Sequence, residues 1–378
     1  MDANPDTVPF PENRMNEMIA YFPSLRSIAG AALIALAAGL LVPRKSARGE
    51  EPPPPRERLV VCCTVRSLGS IAGEIGGDAC EVTSFAKGAE NPHFIDARPS
   101  FVKTLAGADL FIQQGLDLEL GWAPVILQQS RNAKVQPGAP GFLDASTAIT
   151  PLERPTGAVD RSMGDVHQAG NPHYMTDPLN GIAVARAIRD KLVDLRPDQR
   201  AAFEQRCAAF EKKVCVALVG EKLAGEYPTD TVMKLAQLNE GGKLQAFLEK
   251  QGKRADLGGW LGALLPFAGT KVISDHNQWV YFAHRFDLVM AGYLEPKPGI
   301  TPTTSHLGEL VKLIPEQGVK LVIASPGFDP KSGEFVASRT GIRFLVLAHE
   351  VGALEEAGSY LEMLDYDVKQ IAAALNKP

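Results

Sequence analysis

The chain has 378 residues, of which 45% are hydrophobic and 22% are charged, and its formal net charge is −5. This length predicts about two domains, and the composition is that of a globular protein with a sizeable core. The acidic balance and the lack of a basic stripe argue against a nucleic-acid-binding protein.

The N-terminal segment has the pattern of an export signal. Residues 28–42 read IAGAALIALAAGLLV, an uncharged apolar run that follows Arg26. The run has the length of the hydrophobic part of a signal peptide, whereas a membrane-spanning helix needs about 20 apolar residues. Met15 and Met18 are alternative translation starts. Because basic residues follow the run, an uncleaved membrane anchor is the alternative to a cleaved signal. Both predict that the rest of the chain is exported.

Strands and helices alternate through the first part of the chain that follows. RLVVCCTV (58–65), CEVTSF (80–85) and DLFIQQG (109–115) predict short buried strands, and the segments between them predict helices at 67–75 and 99–108. Such alternation at short spacing is typical of a parallel sheet with crossover helices.

A long helical stretch at 178–222 occupies the middle of the chain. Arg196-Pro197-Asp198 interrupts it, and apolar residues recur every three or four positions in the second helix, 198–222. A helix of this length in mid-chain predicts a rigid strut between two lobes.

The second half of the chain repeats the α/β alternation. Strands are predicted at 270–275, 319–325 and 342–348, and helices at 277–286 and 357–375. The glycine-rich segment 223–269 is predicted to be irregular.

These elements predict an α/β fold with two lobes, each a parallel sheet flanked by helices, joined by a long rigid helix with a ligand cleft between the lobes. The predicted boundaries are a signal peptide or anchor with a Pro-rich linker at 1–57, an N-terminal lobe at 58–197, the linking helix at 198–222 and a C-terminal lobe at 223–378.

The five cysteines do not predict a disulfide scaffold. Cys207 and Cys215 lie on one predicted helix, about 12 Å apart along its axis, which is too far for a bridge. Cys62, Cys63 and Cys80 lie on neighbouring predicted strands. One bridge among these three and buried free thiols are both compatible with the pattern.

Four of the seven histidines stand at the ends of strands or at the beginnings of helices. His93 follows the second strand, His173 precedes the long helices, and His276 and His349 each follow a strand of the second half. In open α/β sheets, ligands bind at the carboxyl ends of the strands. Neutral imidazole is the commonest metal ligand. Three or four nitrogen ligands suit tetrahedral Zn²⁺, whereas manganese prefers more carboxylates.

The tripeptide Asn-Pro-His occurs twice, at 91–93 and at 171–173. A residue before proline is held in an extended conformation, so the backbone before each histidine is stiff, which favours a preorganised site. No HExxH, CxxC, Walker or GxSxG motif indicates a different chemistry. The residues alone leave two interpretations, a metal site and a set of hydrogen-bonded structural histidines.

Several segments together resemble the zinc/manganese-type solute-binding receptors of ABC importers, a family with a helical strut between its lobes. NPHFIDARPS, GDVHQAGNPHYMTDP and SDHNQWVYFAHRFDL are similar to three ligand motifs of that family, in the same order. The resemblance implies His93, His173 and His276 as metal ligands. YLEPKPGITPTTSHLGEL and SYLEMLDYDVKQI resemble later segments of the family, so that the resemblance covers 58–375.

The fourth ligand position departs from the family pattern. The family often places Asp or Glu there, in a short segment that ends in Gly, whereas this chain reads AHEVG at 348–352. By register to the glycine, His349 takes the position of the acid, and Glu350 is the alternative fourth ligand. A three-histidine site closed by water is a third arrangement. The chain also lacks the His-rich acidic loop of many zinc members, which argues against very tight zinc scavenging.

The resemblance implies a receptor and not an enzyme. It implies a periplasmic or otherwise extracytoplasmic protein that captures Zn²⁺, with Mn²⁺ as the alternative, and delivers it to the membrane permease of an ABC transporter. A monomer without a nucleic-acid partner is expected. The alternatives are a zinc-dependent hydrolase with Glu350 as general base beside an open coordination position, and a surface adhesin that has kept the fold.

Further residues near these motifs have smaller expected roles. His167 is either an accessory ligand or a solvated loop histidine. Glu119 and Asp275 are weaker candidates for outer hydrogen-bonding partners of the ligands. Structural, surface or packing roles are expected for His284, His306, Trp279 and Tyr281.

Overall fold

The structure is a computed structural model that describes residues 58–159, 163–239 and 242–376. The predicted signal or anchor segment and both alternative translation starts fall outside these residues. Among the described helices, none combines the length and apolar character that crossing a bilayer requires.

A four-stranded parallel sheet forms the centre of the first lobe. Its strands are β1 (Leu59–Cys63), β2 (Cys80–Ser84), β3 (Leu110–Gln113) and β4 (Phe142–Asp144). They lie in the order β2-β1-β3-β4. The accompanying helices are α1 (Arg66–Gly76), α2 (Pro99–Ala106) and α3 (Ala123–Ser130). The central strands β1 and β3 are almost fully buried, which explains why they read as apolar runs without alternation.

Five helices of the described residues lead from the first sheet to the second. They are α4 (Pro178–Leu195), α5 (Arg200–Glu226), α6 (Thr229–Gln237), α7 (Lys243–Lys250) and α8 (Gly259–Leu264). The prediction that 223–269 is irregular is wrong, because α6, α7 and α8 lie there. Each of these three helices has only six to nine residues, which is too short to show a sustained helical period in the sequence.

The long helix α5 bends at Gly220, where the backbone has a positive φ of 83°. A Cβ atom at this position would lie 2.9 Å from the Cα atom of Gly258. The amide of Gly258 donates a hydrogen bond to the carbonyl of Val219, with an N···O distance of 2.9 Å. Glycine at 220 therefore allows both the bend and the close approach of the segment before α8.

The second lobe has the same architecture as the first. Its strands are β5 (Lys271–Ser274), β6 (Val289–Tyr293), β7 (Leu321–Ala324) and β8 (Arg343–Val346), in the order β6-β5-β7-β8. Its helices are α9 (Val280–Phe286), α10 (Thr304–Gln317), α11 (Lys331–Thr340) and α12 (Tyr360–Asn376). All pairings in both sheets are parallel. The predicted fold class, two parallel α/β lobes with a long helix between them, is confirmed.

The order of the strands locates the expected ligand-binding edges. In the first sheet, β2 lies on one side of β1 and β3 lies on the other side, so the direction in which strands are added reverses between β2 and β3. The second sheet has the same reversal, because β6 and β7 lie on opposite sides of β5. Loops diverge at such reversals and leave a crevice outside the carboxyl ends of the strands. His276, which follows β5, lies at one of these points.

The apolar core is continuous through both lobes. One cluster of buried side chains extends from β1 and α1 through α4 and α5 to α8, α9 and α12. A second, smaller cluster lies under α10 and α11 against the second sheet. Because the main core includes both lobes, the linking helices are part of one packed body.

All five cysteines carry free, buried thiols. The alternative of a bridge among Cys62, Cys63 and Cys80 is therefore not what the structure contains. Burial raises the pKa of Cys62 to about 12 and that of Cys80 to about 11. Thiols that stay protonated are poor nucleophiles and poor metal ligands, so these residues act as small apolar side chains.

Candidate metal centre

Three of the predicted ligands, His93, His173 and His276, lie together. Each offers one ring nitrogen, and these three nitrogens lie within 4.8 Å of one another. The distances between ring centroids are 5.1 Å for His93 and His173, 5.3 Å for His173 and His276, and 5.7 Å for His93 and His276. His173 and His276 are buried and His93 is half-buried. Residues far apart in the sequence thus form one compact set of nitrogen donors.

Each Asn-Pro-His tripeptide folds into the same turn. The side-chain oxygen of Asn91 accepts a hydrogen bond from the backbone N–H of His93 at 3.0 Å, and that of Asn171 accepts one from His173 at 2.9 Å. Asparagine side chains commonly bond the backbone two residues further on in this way. The Nδ2 atom of Asn171 also donates to the carbonyl of Asn277 at 2.7 Å. The turn that carries His173 is therefore fastened to the residue after His276.

Hydrogen bonds fix which ring nitrogen of His93 carries the proton. The Nδ1 atom of His93 lies 2.8 Å from the side-chain oxygen of Asn91. Because an amide oxygen can only accept a hydrogen bond, Nδ1 is protonated and Nε2 keeps a lone pair. The indole N–H of Trp122 donates to the carbonyl of Pro92 at 2.9 Å and supports the same turn.

A carboxylate fixes the ring of His276 in the same way. The Nδ1 atom of His276 donates to Glu295, with an N···O distance of 2.7 Å. Metal-binding histidines usually donate their second N–H to such a partner. Asp275 accepts hydrogen bonds from the amides of His276 and Ser325, at 2.8 and 2.6 Å. Burial raises the pKa of Asp275 to about 6, although these hydrogen bonds act in the opposite direction.

Buried ring nitrogens without partners face the same small space. Among the described residues, the buried polar atoms that lack a hydrogen-bond partner include Nε2 of His173, Nε2 of His276 and Nδ1 of His349. Leaving such an atom unsatisfied costs about 1–3 kcal/mol. A cavity of about 10 Å³ lies between His93, His173, His276 and His349, which is room for about one small ion or water. The donor set therefore fits a divalent metal ion.

His349 and Glu350 point to different surroundings. His349 is buried and lines the cavity, although it is outside the group of three nitrogens that lie within 4.8 Å of one another. The carboxylate of Glu350 accepts hydrogen bonds from the backbone N–H and the hydroxyl of Ser67, both at 2.9 Å. Burial raises the pKa of Glu350 to about 7. Glu350 is thus hydrogen-bonded to the first turn of α1, whereas His349 lines the cavity between His93, His173 and His276.

Burial favours the neutral form of His93, His173 and His349. It lowers the pKa values of His93 and His173 well below 6.5, and the neighbouring histidines lower them further. Burial also lowers the pKa of His349 to about 4, with His276 contributing in the same direction. Neutral imidazole is the form that binds metals, so these three residues are ready to accept an ion at neutral pH.

Comparison with known proteins agrees with this geometry. The family profile described as "Zinc-uptake complex component A periplasmic" matches residues 61–216 and 260–374. The chain belongs to this family. The predicted relationship to metal-binding receptors of ABC importers is therefore confirmed.

Relatives of the zinc-uptake component A family are named for two different metals. A manganese ABC transporter substrate-binding lipoprotein of Streptococcus pneumoniae is 23% identical over 92% of this chain and 97% of its own length. A high-affinity zinc uptake system protein of Yersinia pestis is 25% identical over 81% of this chain and 85% of its own. A crystal structure of ZnuA, at 22% identity, covers 84% of this chain and 99% of its own with a TM-score of 0.61. This last similarity shows the fold.

The remaining histidines lie in two different settings. The Nε2 atom of His167 is 3.1 Å from Nε2 of His93, so that His167 touches a member of the central set. Burial lowers the pKa of His167 to about 4, against the opposite effect of the Asp117 carboxylate. His306 instead bonds the carbonyl of Tyr293 at 2.9 Å, and His284 is exposed on α9.

Two other sequence candidates support the site indirectly. Glu119 is buried behind β3, where it accepts hydrogen bonds from the amides of Gln114 and Gly115 at 2.7 and 3.1 Å. The side chain of Gln114 in turn donates to the carbonyl of Pro172 at 2.8 Å. The hydroxyl of Tyr281 donates to the carbonyl of Asn171 at 2.8 Å. Tyr281 therefore does more than pack, because it holds the turn that contains His173.

Sequence reasoning missed a buried ion pair that joins the two lobes beside the site. The guanidinium of Arg285 in α9 donates two hydrogen bonds to Asp177, both at 2.9 Å. Asp177 also caps α4, since it accepts a hydrogen bond from the amide of Leu179 at 2.9 Å. The signals in the sequence are the Asp-Pro helix start and a lone arginine in the apolar helix VYFAHRF. Their pairing across 108 positions is visible only in three dimensions.

Proposed function

We propose that this protein is the extracytoplasmic receptor of an ABC importer and that it captures Zn²⁺ for delivery to a membrane permease. The observation that carries the proposal is the convergence of three imidazole nitrogens within 4.8 Å, in a chain of the zinc-uptake component A family. In this proposal, His93, His173 and His276 bind the ion and His349 completes the set. The protein acts as a monomer with lobes at 58–197 and 223–378 joined by 198–222.

The character of the donors favours zinc over manganese. The candidate ligands are imidazoles, which suit Zn²⁺, whereas Mn²⁺ prefers carboxylate and water oxygens. Two nearby carboxylates are already engaged, since Glu295 accepts a hydrogen bond from His276 and Glu350 accepts one from Ser67. The relatives are named for both metals, so the choice rests on this chain's own donors.

The same contacts argue against a hydrolase. The alternative reaction would need Glu350 as a general base next to a metal-bound water. Both contacts of Glu350 to Ser67 hold its carboxylate at the first turn of α1. A receptor needs no such base, because it only binds the ion and releases it to its partner.

The proposal is tested by metal titration of the purified full-length chain. We expect one Zn²⁺ per chain and an affinity for Mn²⁺ at least about 100-fold weaker, because the three donors that converge are imidazole nitrogens. Competition with a chromophoric chelator measures the zinc affinity, and manganese is titrated by electron paramagnetic resonance of the free ion. A chain that bound Mn²⁺ more tightly than Zn²⁺, or bound neither, would contradict the proposal.

Zinc affinity is expected to fall as the pH is lowered. Protons and the metal compete for the same nitrogen lone pairs, so acid must weaken binding. Because burial lowers the pKa values of His93 and His173 below 6.5 and that of His349 to about 4, the loss should begin below the ordinary imidazole range. We expect nearly constant affinity from about pH 8 to pH 7 and a steep fall below about pH 5.5. Titrations at fixed ionic strength measure this. Equal affinity at pH 4.5 and pH 7.5 would rule out a histidine site.

A further inference from the structure

An aromatic side chain forms one wall of the cavity between the histidines. Phe328 lies in the segment after β7, and its ring stacks on the imidazole of His276, with 5.8 Å between the ring centroids and 22° between the ring planes. It lines the cavity of about 10 Å³ together with His93, His173, His276 and His349. Phe328 is half-buried, whereas His173 and His276 are buried. Phe328 therefore lies on the outer side of the metal centre.

The segment that carries Phe328 is a tight turn that is bonded to the residues around His276. The amide of Phe328 donates to the carbonyl of Ser325 at 3.2 Å. The hydroxyl oxygen of Ser325 accepts a hydrogen bond from the side-chain amide of Gln278 at 3.0 Å. The same amide donates to both carboxylate oxygens of Asp275, the residue before His276, at 3.1 Å. These bonds hold the ring of Phe328 against a proposed metal ligand.

A glycine brings this turn close to the first lobe. Gly327 precedes Phe328 and lines the same cavity. A Cβ atom at Gly327 would lie 3.0 Å from the carbonyl oxygen of Ala89, in the loop after β2. The close approach of the two loops therefore depends on the small residue. It places Phe328 beside the loop that also carries His93.

The rest of the cavity wall adds little that could bind a metal ion. The residues that line it besides the four histidines are Asn91, Pro92, Gln278, Gly327 and Phe328. The side-chain oxygen of Asn91 accepts hydrogen bonds from His93, and the side-chain nitrogen of Gln278 donates to Asp275 and Ser325. The side chains of Pro92 and Phe328 contain no donor atom. An ion in this cavity thus meets imidazoles on the inner side and an aromatic ring on the outer side.

Zinc and manganese differ in the number of further ligands that they require. Four donors in a tetrahedral arrangement satisfy Zn²⁺, whereas Mn²⁺ prefers an octahedral set that includes water and carboxylate oxygens. A cavity of about 10 Å³ has room for about one ion or one water, and not for an ion with several waters. Phe328 has the largest apolar side chain in the cavity wall, so its ring takes the space that such waters would need.

We propose that Phe328 determines metal specificity. Its ring excludes water from the outer side of the bound ion and thereby restricts the ion to the low coordination number that suits Zn²⁺ and not Mn²⁺. This inference rests on the proposed receptor function. The imidazoles bind the ion, and Phe328 limits what else can bind to it.

The test compares the metal preference of the full-length wild type with Phe328→Ala and Phe328→Leu. Alanine opens space for water beside His276, whereas leucine keeps most of the apolar volume. Phe335→Ala, which removes an exposed phenylalanine of α11, is the matched control. Zinc affinity is measured by chelator competition and manganese affinity by electron paramagnetic resonance. In Phe328→Ala we expect the affinity for Mn²⁺ to rise about tenfold and that for Zn²⁺ to change less than about threefold. Phe328→Leu and the control should keep the wild-type ratio of the two affinities.

The visible spectrum of bound Co²⁺ reports the coordination number directly. Tetrahedral Co²⁺ absorbs visible light much more strongly than octahedral Co²⁺, so a gain of water ligands weakens the absorption. We expect the strong spectrum for the wild type and Phe328→Leu, and a weaker one for Phe328→Ala. A ring that only packed against His276 would leave the type of spectrum unchanged.

Two outcomes overturn the inference. One is an equal loss of zinc and manganese affinity in Phe328→Ala with a tetrahedral cobalt spectrum, which would show that the ring only supports His276. The other is a Phe328→Ala protein with the affinities and the spectrum of the wild type. The receptor function is judged on the wild type alone. It fails if that protein binds Mn²⁺ more tightly than Zn²⁺ or binds neither ion, whatever the Phe328 variants show.

Discussion

His276→Ala is expected to weaken zinc binding by more than about 100-fold, which exceeds the loss for an outer hydrogen-bonding partner of a ligand. The change removes one of the three nitrogens that converge within 4.8 Å, so that only two of that group and the more distant His349 remain to hold the ion. It also removes the imidazole donor of the nearly buried Glu295 carboxylate, which keeps its hydrogen bond from the amide of Gly299. Competition titration with a chromophoric chelator measures the affinity, and circular dichroism verifies that the variant is folded.

Two further variants separate ligand loss from general damage. His284→Ala removes an exposed histidine of the same lobe and should bind zinc like the wild type. His349→Ala should weaken binding by less than His276→Ala does, because His349 lies outside the closest group of nitrogens. A folded His276→Ala protein with unchanged affinity and stoichiometry would show that the proposed site is wrong.

Arg285→Met is expected to lower the free energy of unfolding by about 3–5 kcal/mol, the usual result of breaking a buried ion pair from one side. The guanidinium bonds both oxygens of Asp177 and the carbonyl of Ala236, at 2.9 Å each. Removal leaves a buried carboxylate without its cation. Since Asp177 caps α4 and Arg285 belongs to α9, the pair fastens the two lobes beside the metal centre. Urea denaturation of the metal-free protein, followed by circular dichroism, measures the change.

An exposed pair of the same chemistry provides the control. Arg200 and Glu204 form an ion pair at 3.3 Å on the surface of α5, and Arg200→Met should change the free energy of unfolding by less than about 1 kcal/mol. The addition of Asp177→Asn to Arg285→Met should restore part of the loss, because the second change removes the uncompensated charge. If Arg285→Met were no more harmful than Arg200→Met, the buried pair would have no structural importance.

The main features of the fold could be predicted because their signals are local. Apolar runs identified β1, β3, β5, β7 and β8, and the break at Arg196-Pro197-Asp198 separated α4 from α5. The short helices between α5 and β5 were missed, since a helix of two turns packed against larger elements needs no clear period of its own. Strand β6 is half-exposed and carries Gly292, which hides it among loops.

The candidate site likewise has residues that could be predicted from the sequence and contacts that could not. Asn-Pro-His and Asp-His place three histidines at chain positions that meet in space, because strand ends and helix starts share an edge in α/β folds. The hydrogen-bond partner of His276 could not be predicted, because Glu295 lies in the loop that follows β6 and no local pattern links the two residues. The choice between His349 and Glu350 was also open, because the direction of neighbouring side chains in an irregular loop depends on contacts such as that with Ser67.

The continuous apolar core limits how this protein can exchange its ion. A motion that separated the lobes widely would expose core side chains of α4, α5, α8 and α12, at a cost of about 25 cal/mol for each Å² of apolar surface. Opening by a few residues at the rim costs far less, because few buried contacts are broken there. We therefore expect the ion to enter and leave through local fluctuations of surface loops, while the packed body stays intact.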